Sequence, residues 1–129
     1  RPCLSPTALW WRRGIYFYRY QLRAMTYMWT KLCTTNEVPD NDALEVTQDG
    51  HVYCAYRIKG KHYVTDGICT HQVARLAEGY VIDDIIECPM HNGRFHIPTG
   101  RVDGPPACEP LRVYPVKLNG IDLMIELAD

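Results

Sequence analysis

Along most of the chain the apolar positions recur every second residue, in short runs broken by Gly and Pro. The clearest run is residues 51 to 58. It places Val52, Cys54, Tyr56 and Ile58 on one face, and His51, Tyr53, Ala55 and Arg57 on the other. A strand over residues 43 to 47 leads into it through the tight turn Gln48-Asp49-Gly50. Lys59-Gly60-Lys61 then turns the chain back into a strand over 62 to 65, so two antiparallel hairpins follow. Residues 81–82 can pair with 85–87 across Asp83-Asp84, and 94 to 97 read as a further strand. Strands over 112 to 116 and 122 to 127 flank an Asn119-Gly120 turn. No long amphipathic helix appears, and residues 72 to 77 make at most a turn of one. The pattern predicts an all-β chain, a small antiparallel sandwich or barrel.

Two turns in this pattern carry chemistry. Cys69-Thr70-His71 is followed, sixteen residues later, by Cys88-Pro89-Met90-His91. Each turn offers one thiolate and one imidazole, and two such turns facing each other supply a Cys2His2 set. That set suits a tetrahedral zinc site or a 2Fe–2S cluster with two Cys on one iron and two His on the other. Zinc-finger turns pair like with like, because both ligands of a turn serve one metal. Here each turn is mixed, as a cluster with unlike irons requires.

With their flanks, Cys69-Thr70-His71 and Cys88-Pro89-Met90-His91-Asn92-Gly93-Arg94-Phe95 resemble the two cluster loops of the Rieske family. Thr99-Gly100, Pro105-Pro106 and the segment 111 to 116 fit the same family. More narrowly, residues 25 to 129 are similar to the Rieske ferredoxins of bacterial aromatic-ring-hydroxylating dioxygenases, of the naphthalene and biphenyl dioxygenase type. The resemblance implies a Rieske fold with a cluster-binding subdomain and one 2Fe–2S cluster. It also implies Cys69 and Cys88 as ligands of the inner iron, and His71 and His91 as ligands of the outer one. The stiff Gly104-Pro105-Pro106 segment would cover the cluster, with simple connection between sheets as the other reading. Gln72 and Met90 would shield the cluster or meet a partner. The implied function is one-electron transfer from an NAD(P)H-dependent flavoprotein reductase to a terminal oxygenase, through transient docking of a monomer. The carrier itself would catalyse nothing. After His91 only His96 remains, so the two-His, one-carboxylate iron site of an oxygenase is not encoded. A Rieske subunit of another redox enzyme, such as nitrite reductase, is the alternative. A structural zinc module is the third reading.

High-potential Rieske proteins of respiratory chains carry a disulfide where this chain has Ala74 and Met90. They carry Ser and Tyr hydroxyls where it has Gly93 and Phe95. Each replacement removes a group that stabilises the reduced state, so the expected potential lies near the bottom of the Rieske range, about −150 mV.

Charge divides the 129-residue chain in two. Residues 1 to 24 hold five arginines and no acid, among Trp10, Trp11, Tyr16, Phe17, Tyr18 and Tyr20. This stretch could be a transit-like segment, a membrane-surface anchor or upstream sequence. The last is the reading adopted: a basic aromatic extension outside the fold, with the Rieske domain over 25–129. The remainder carries nine basic against 15 acidic side chains, a net of −6. That argues against nucleic acid and for a partner with a basic docking face. No apolar run is long enough to span a bilayer. Of six cysteines, four remain beyond the ligands: Cys3, Cys33, Cys54 and Cys108. Their irregular spacing points to a reducing, cytoplasmic setting. Cys54 reads as a buried core thiol, and Cys108 could lie near the cluster. His51 and His62 read as solvent-facing, His96 as a strand residue where many relatives are acidic, and Asp83-Asp84 as a solvated turn.

Overall fold

The computed structural model describes residues 27–70, 73–90, 92–105, 107 and 109–128. Among the described residues, eleven strands form three antiparallel sheets. The first sheet is β1 (Tyr27–Thr34), β11 (Asp122–Ala128) and β10 (Val116–Asn119), in that order. The second is β2 (Asp42–Gln48), β3 (His51–Ile58), β4 (Lys61–Asp66) and β9 (Val113–Tyr114). The third is β5 (Tyr80–Ile82), β6 (Ile85–Glu87), β7 (Arg94–His96) and β8 (Val102–Gly104). Single 3-10 turns at Thr35–Glu37 and Leu76–Glu78 are the only helical pieces among the described residues. The all-β expectation holds.

The two-residue turns Asp49-Gly50 and Lys59-Gly60 both have positive φ at each position, the backbone that matches strand twist in a hairpin. β3 is the central strand, and both of its faces are buried. Cys54, Tyr56 and Ile58 enter a core shared with the third sheet and the loops that carry Cys69 and Cys88. Tyr53 and Ala55 enter a second core against the first sheet, with Leu32, Val64, Tyr114, Leu123 and Ile125. The alternation of residues 51 to 58 holds, and a second sheet covers the face of Tyr53 and Ala55, which strand alternation alone cannot reveal.

Three boundaries differ from expectation. Residues 112 to 116 are not one strand. Pro115 has no N–H for a ladder, and here β9, in the second sheet, gives way to β10, in the first. The last hairpin pairs Asn119 with Asp122, so its turn is Gly120-Ile121 rather than Asn119-Gly120. β7 ends at His96, one residue short, although the Ile97 N–H still reaches the Asp84 carbonyl at 2.8 Å in the register of the β6–β7 pair. β1 also carries an irregularity between Lys31 and Cys33, which lets the consecutive residues Leu32 and Cys33 both face inward.

Candidate metal centre

The strands of the second and third sheets deliver the two cysteines. β4 ends at Asp66; Gly67 donates to Val52 O at 2.8 Å, and Cys69 follows two residues later. The first loop is closed at its base by Cys69 N–H donating to Ala74 O at 2.9 Å and by an isolated bridge between Ile68 and Arg75. A bond from Leu76 N–H to Gly67 O at 2.9 Å completes the base. The second loop leaves β6 directly. There Cys88 N–H donates to Gly93 O at 2.7 Å before β7 begins. In both loops the cysteine N–H reaches the carbonyl five residues on, so the two turns share one closure despite their different spacing.

Cys69 and Cys88 are buried in one core, 5% and 1% exposed. Burial pushes the Cys88 thiol up to about 11, a backbone hydrogen bond from Met90 opposes this, and a hydrogen bond with the Cys69 thiol adds to the rise. The two cysteines thus lie in the same buried core, and a metal held by both would take the place of their thiol protons. Among the described residues Cys33, Cys54, Cys69 and Cys88 are free thiols. A third loop, following β8, packs against both others. Thr70 Oγ donates to Glu109 O at 2.8 Å. Ala107 is buried so close to Gly93 that a Cβ on the glycine would lie 3.2 Å from the alanine Cβ. Two inward-facing sulfurs on tied loops fit one iron of a binuclear cluster, the donor set a 2Fe–2S centre needs from this side.

His71 and His91, expected on the other iron, lie outside the described residues, as do Gln72, Pro106 and Cys108. Met90 is half exposed, as a residue at the rim should be. Val73, in the first loop, is 94% exposed. Sequence reading missed it, although an apolar residue two places after His71 was a usable signal. Cys54 is fully buried, and burial pushes its thiol up to about 12, as an ordinary core thiol requires.

Of the remaining histidines, His51 is solvent-facing as expected, while His62 and His96 depart from expectation. His51 is exposed, yet its Nε2 donates to Asp66 Oδ1 at 2.7 Å and its ring lies 4.5 Å from that of Tyr53, tilted by 53°. His96 is no plain strand residue. Its Nε2 lies 2.9 Å from Asp84 Oδ2 and its Nδ1 2.7 Å from Thr99 Oγ. A carboxylate only accepts, so Nε2 donates to Asp84, while Nδ1 shares a hydrogen bond with the Thr99 hydroxyl. Asp84 thus anchors the β5–β6 turn rather than simply meeting water. His62 is partly buried, with an Nε2 that has no partner among the described residues.

Comparison with known proteins gives this geometry its context. A family described as Rieske [2Fe-2S] domain matches residues 28–115. The biphenyl dioxygenase ferredoxin subunit of a Pseudomonas species is 39% identical, covering 77% of this chain and 92% of that protein. The solved ferredoxin of Sphingomonas yanoikuyae superposes with a TM-score of 0.73 at 35% identity, covering 76% of this chain and 97% of that one. A ferredoxin chain in the complex of reduced oxygenase and oxidized ferredoxin of carbazole 1,9a-dioxygenase gives 0.71 at 32% identity, covering 75% and 91%. The twin cysteine loops, the three-sheet scaffold and these matches agree: the chain belongs to the Rieske [2Fe-2S] domain family.

Proposed function

We propose that this protein is the ferredoxin of an aromatic-ring-hydroxylating dioxygenase system, passing single electrons from an NAD(P)H-dependent flavoprotein reductase to the terminal oxygenase. The observation that carries the reading is the pair Cys69 and Cys88, buried in one core on two loops with the same closure. Dioxygenase ferredoxins at up to 39% identity support it. One Rieske 2Fe–2S cluster is the cofactor of this family, and when bound it takes up and releases one electron. Cys69 and Cys88 would hold the inner iron, and His71 and His91 the outer one as neutral imidazoles.

The chain's own part is positional. Closed loop bases fix the sulfurs, the Thr70–Glu109 bond ties the first loop to the third, and the packed core keeps water from the sulfur side. The exposed Val73 and Met90 offer an apolar rim for brief docking. No helix of the described residues is long and apolar enough to cross a membrane. We take the folded unit as residues 25–129, a cytoplasmic monomer that meets its partners transiently.

The test is spectroscopic. Protein expressed as residues 25–129 should be brown and, once reduced, give the low average g value of a cluster with mixed ligands. That signal should vanish in His71→Ala and His91→Ala. Redox titration should place the midpoint near −150 mV, because Ala74, Met90, Gly93 and Phe95 add no disulfide or hydroxyl near the loops. A colourless protein holding zinc would sink the reading.

A further inference from the structure

We propose that the ion pair between Glu45 and Arg75 tunes the potential of the cluster by charge, while strapping the first cluster loop to the second sheet. The proposal rests on the electron-carrier reading above. Arg75 Nη1 lies 2.8 Å from Glu45 Oε2. Arg75 belongs to the base of the loop: it bridges to Ile68, and the preceding Ala74 carbonyl accepts the Cys69 N–H. Glu45 lies on β2, directly opposite Cys54 of β3. Cys54, Ala74 and Leu76 share one buried core with Cys69 and Cys88. The pair therefore spans from the edge of the sheet to the loop, against the core that holds both sulfurs.

Its two halves are unequally placed. The Arg75 side chain is 59% exposed and that of Glu45 only 24%. Glu45 Oε1 is buried and has no hydrogen-bond partner among the described residues. Water screens the guanidinium more than the carboxylate, so the field passed inward is negative. Cys54 registers it. Burial is the main cause of its raised pKa, the Tyr56 hydrogen bond opposes, and the Glu45 charge adds to the rise. A negative field opposes the arrival of an electron. Glu45 would then hold the potential down, and Arg75 would offset part of that effect.

A strap that worked only by geometry would respond alike to losing either end. A charge effect responds with opposite signs, which makes the two readings separable. Midpoints, iron content and reduced spectra of the intact holoprotein are to be measured at pH 8, where carboxylates stay ionised. At the potential that half-reduces wild type, Glu45→Gln should raise the reduced-to-oxidised ratio roughly threefold or more. Arg75→Gln should lower it by roughly twofold, and the double variant should fall between. Arg75→Lys keeps the charge and should stay at the wild-type midpoint. Shifts of the same sign, or none, would overturn the proposal. Should Arg75→Gln fail to hold iron, Glu45→Gln and Arg75→Lys decide alone, and an unmoved Glu45→Gln rejects it. Failure of the electron-carrier reading would show separately, in the spectrum of the wild-type protein.

Discussion

At the scale of single residues, histidines separate what sequence can tell from what it cannot. His51, His62 and His96 all sit in alternating stretches, and nothing local distinguishes them. Their differences come mostly from residues distant in the chain: Asp66 and Tyr114 for His51, Asp84 together with the nearby Thr99 for His96, and the packing around β4 for His62. His62 lies opposite Arg57, with a buried nitrogen that no described group satisfies. Burial first, and the Arg57 charge second, hold its pKa below the usual histidine value. The consequence for stability has a definite sign. Above about pH 6.5 the ring is neutral in folded and unfolded chains alike, and nothing is lost. Below that, the unfolded chain takes a proton that the folded ring resists, so stability falls as pH drops through the folded pKa. Urea unfolding at pH 7.5 and pH 5 should show a larger acid loss for wild type than for His62→Gln. Carboxylates contribute to both proteins, so the difference isolates this ring. Equal losses would mean that the ring protonates freely in the fold.

At the scale of elements, the hairpins were legible because their signals are local. Asp49-Gly50, Lys59-Gly60 and Asp83-Asp84 all fall where strands 42–48, 51–58, 61–66, 80–82 and 85–87 turn. Strands paired over long distances were not legible. β1 meets β11 at the far end of the chain, with Tyr27 opposite Ala128, and no neighbouring residue announces it. β8 was missed for a related reason: Val102–Gly104 is too short to alternate and runs into the proline segment. The β5–β6 hairpin matters most for the site, because it aims Cys88. Gly79 leads into it at the row where Tyr80 pairs with Glu87. A Cβ at Gly79 would stand 1.9 Å from the Glu87 carbonyl oxygen and 3.1 Å from Pro89 Cδ. Gly79→Ala must therefore push β5 off β6 beside Cys88, at a cost of about 3 kcal/mol, with less iron retained per chain expected. Gly120→Ala is the control: its positive φ strains an alanine, but nothing lies within 4 Å, so about 1 kcal/mol and full iron content are expected. Matching losses in urea unfolding and iron assay would refute the idea that close approach at Gly79 positions Cys88.

At the scale of the whole molecule, fold class and the two cysteine turns could be read from the sequence because both rest on short-range pattern. The division into three sheets and two cores could not, since β3 looks amphipathic until the first sheet is seen to cover its second face. Charge is the global property that sequence does give directly. Residues 25–129 carry a net −6, and the five arginines of residues 1 to 24 bring the whole chain to −1. A carrier that finds its partners by diffusion gains association rate from opposite charge on the docking face, and loses that gain to salt. If a basic reductase face is the partner, residues 25–129 should be reduced faster at low salt than the 129-residue chain, whose arginines cancel most of the attraction. Between roughly 20 and 200 mM salt the shorter chain should slow more steeply, and the two rates should converge as the screening length shrinks to about 8 Å. Stopped-flow reduction of both chains across that range measures it. Rates that ignore salt, or rise with it, would show that the acidic body does not steer docking, leaving the apolar rim at Val73 and Met90 to account for recognition.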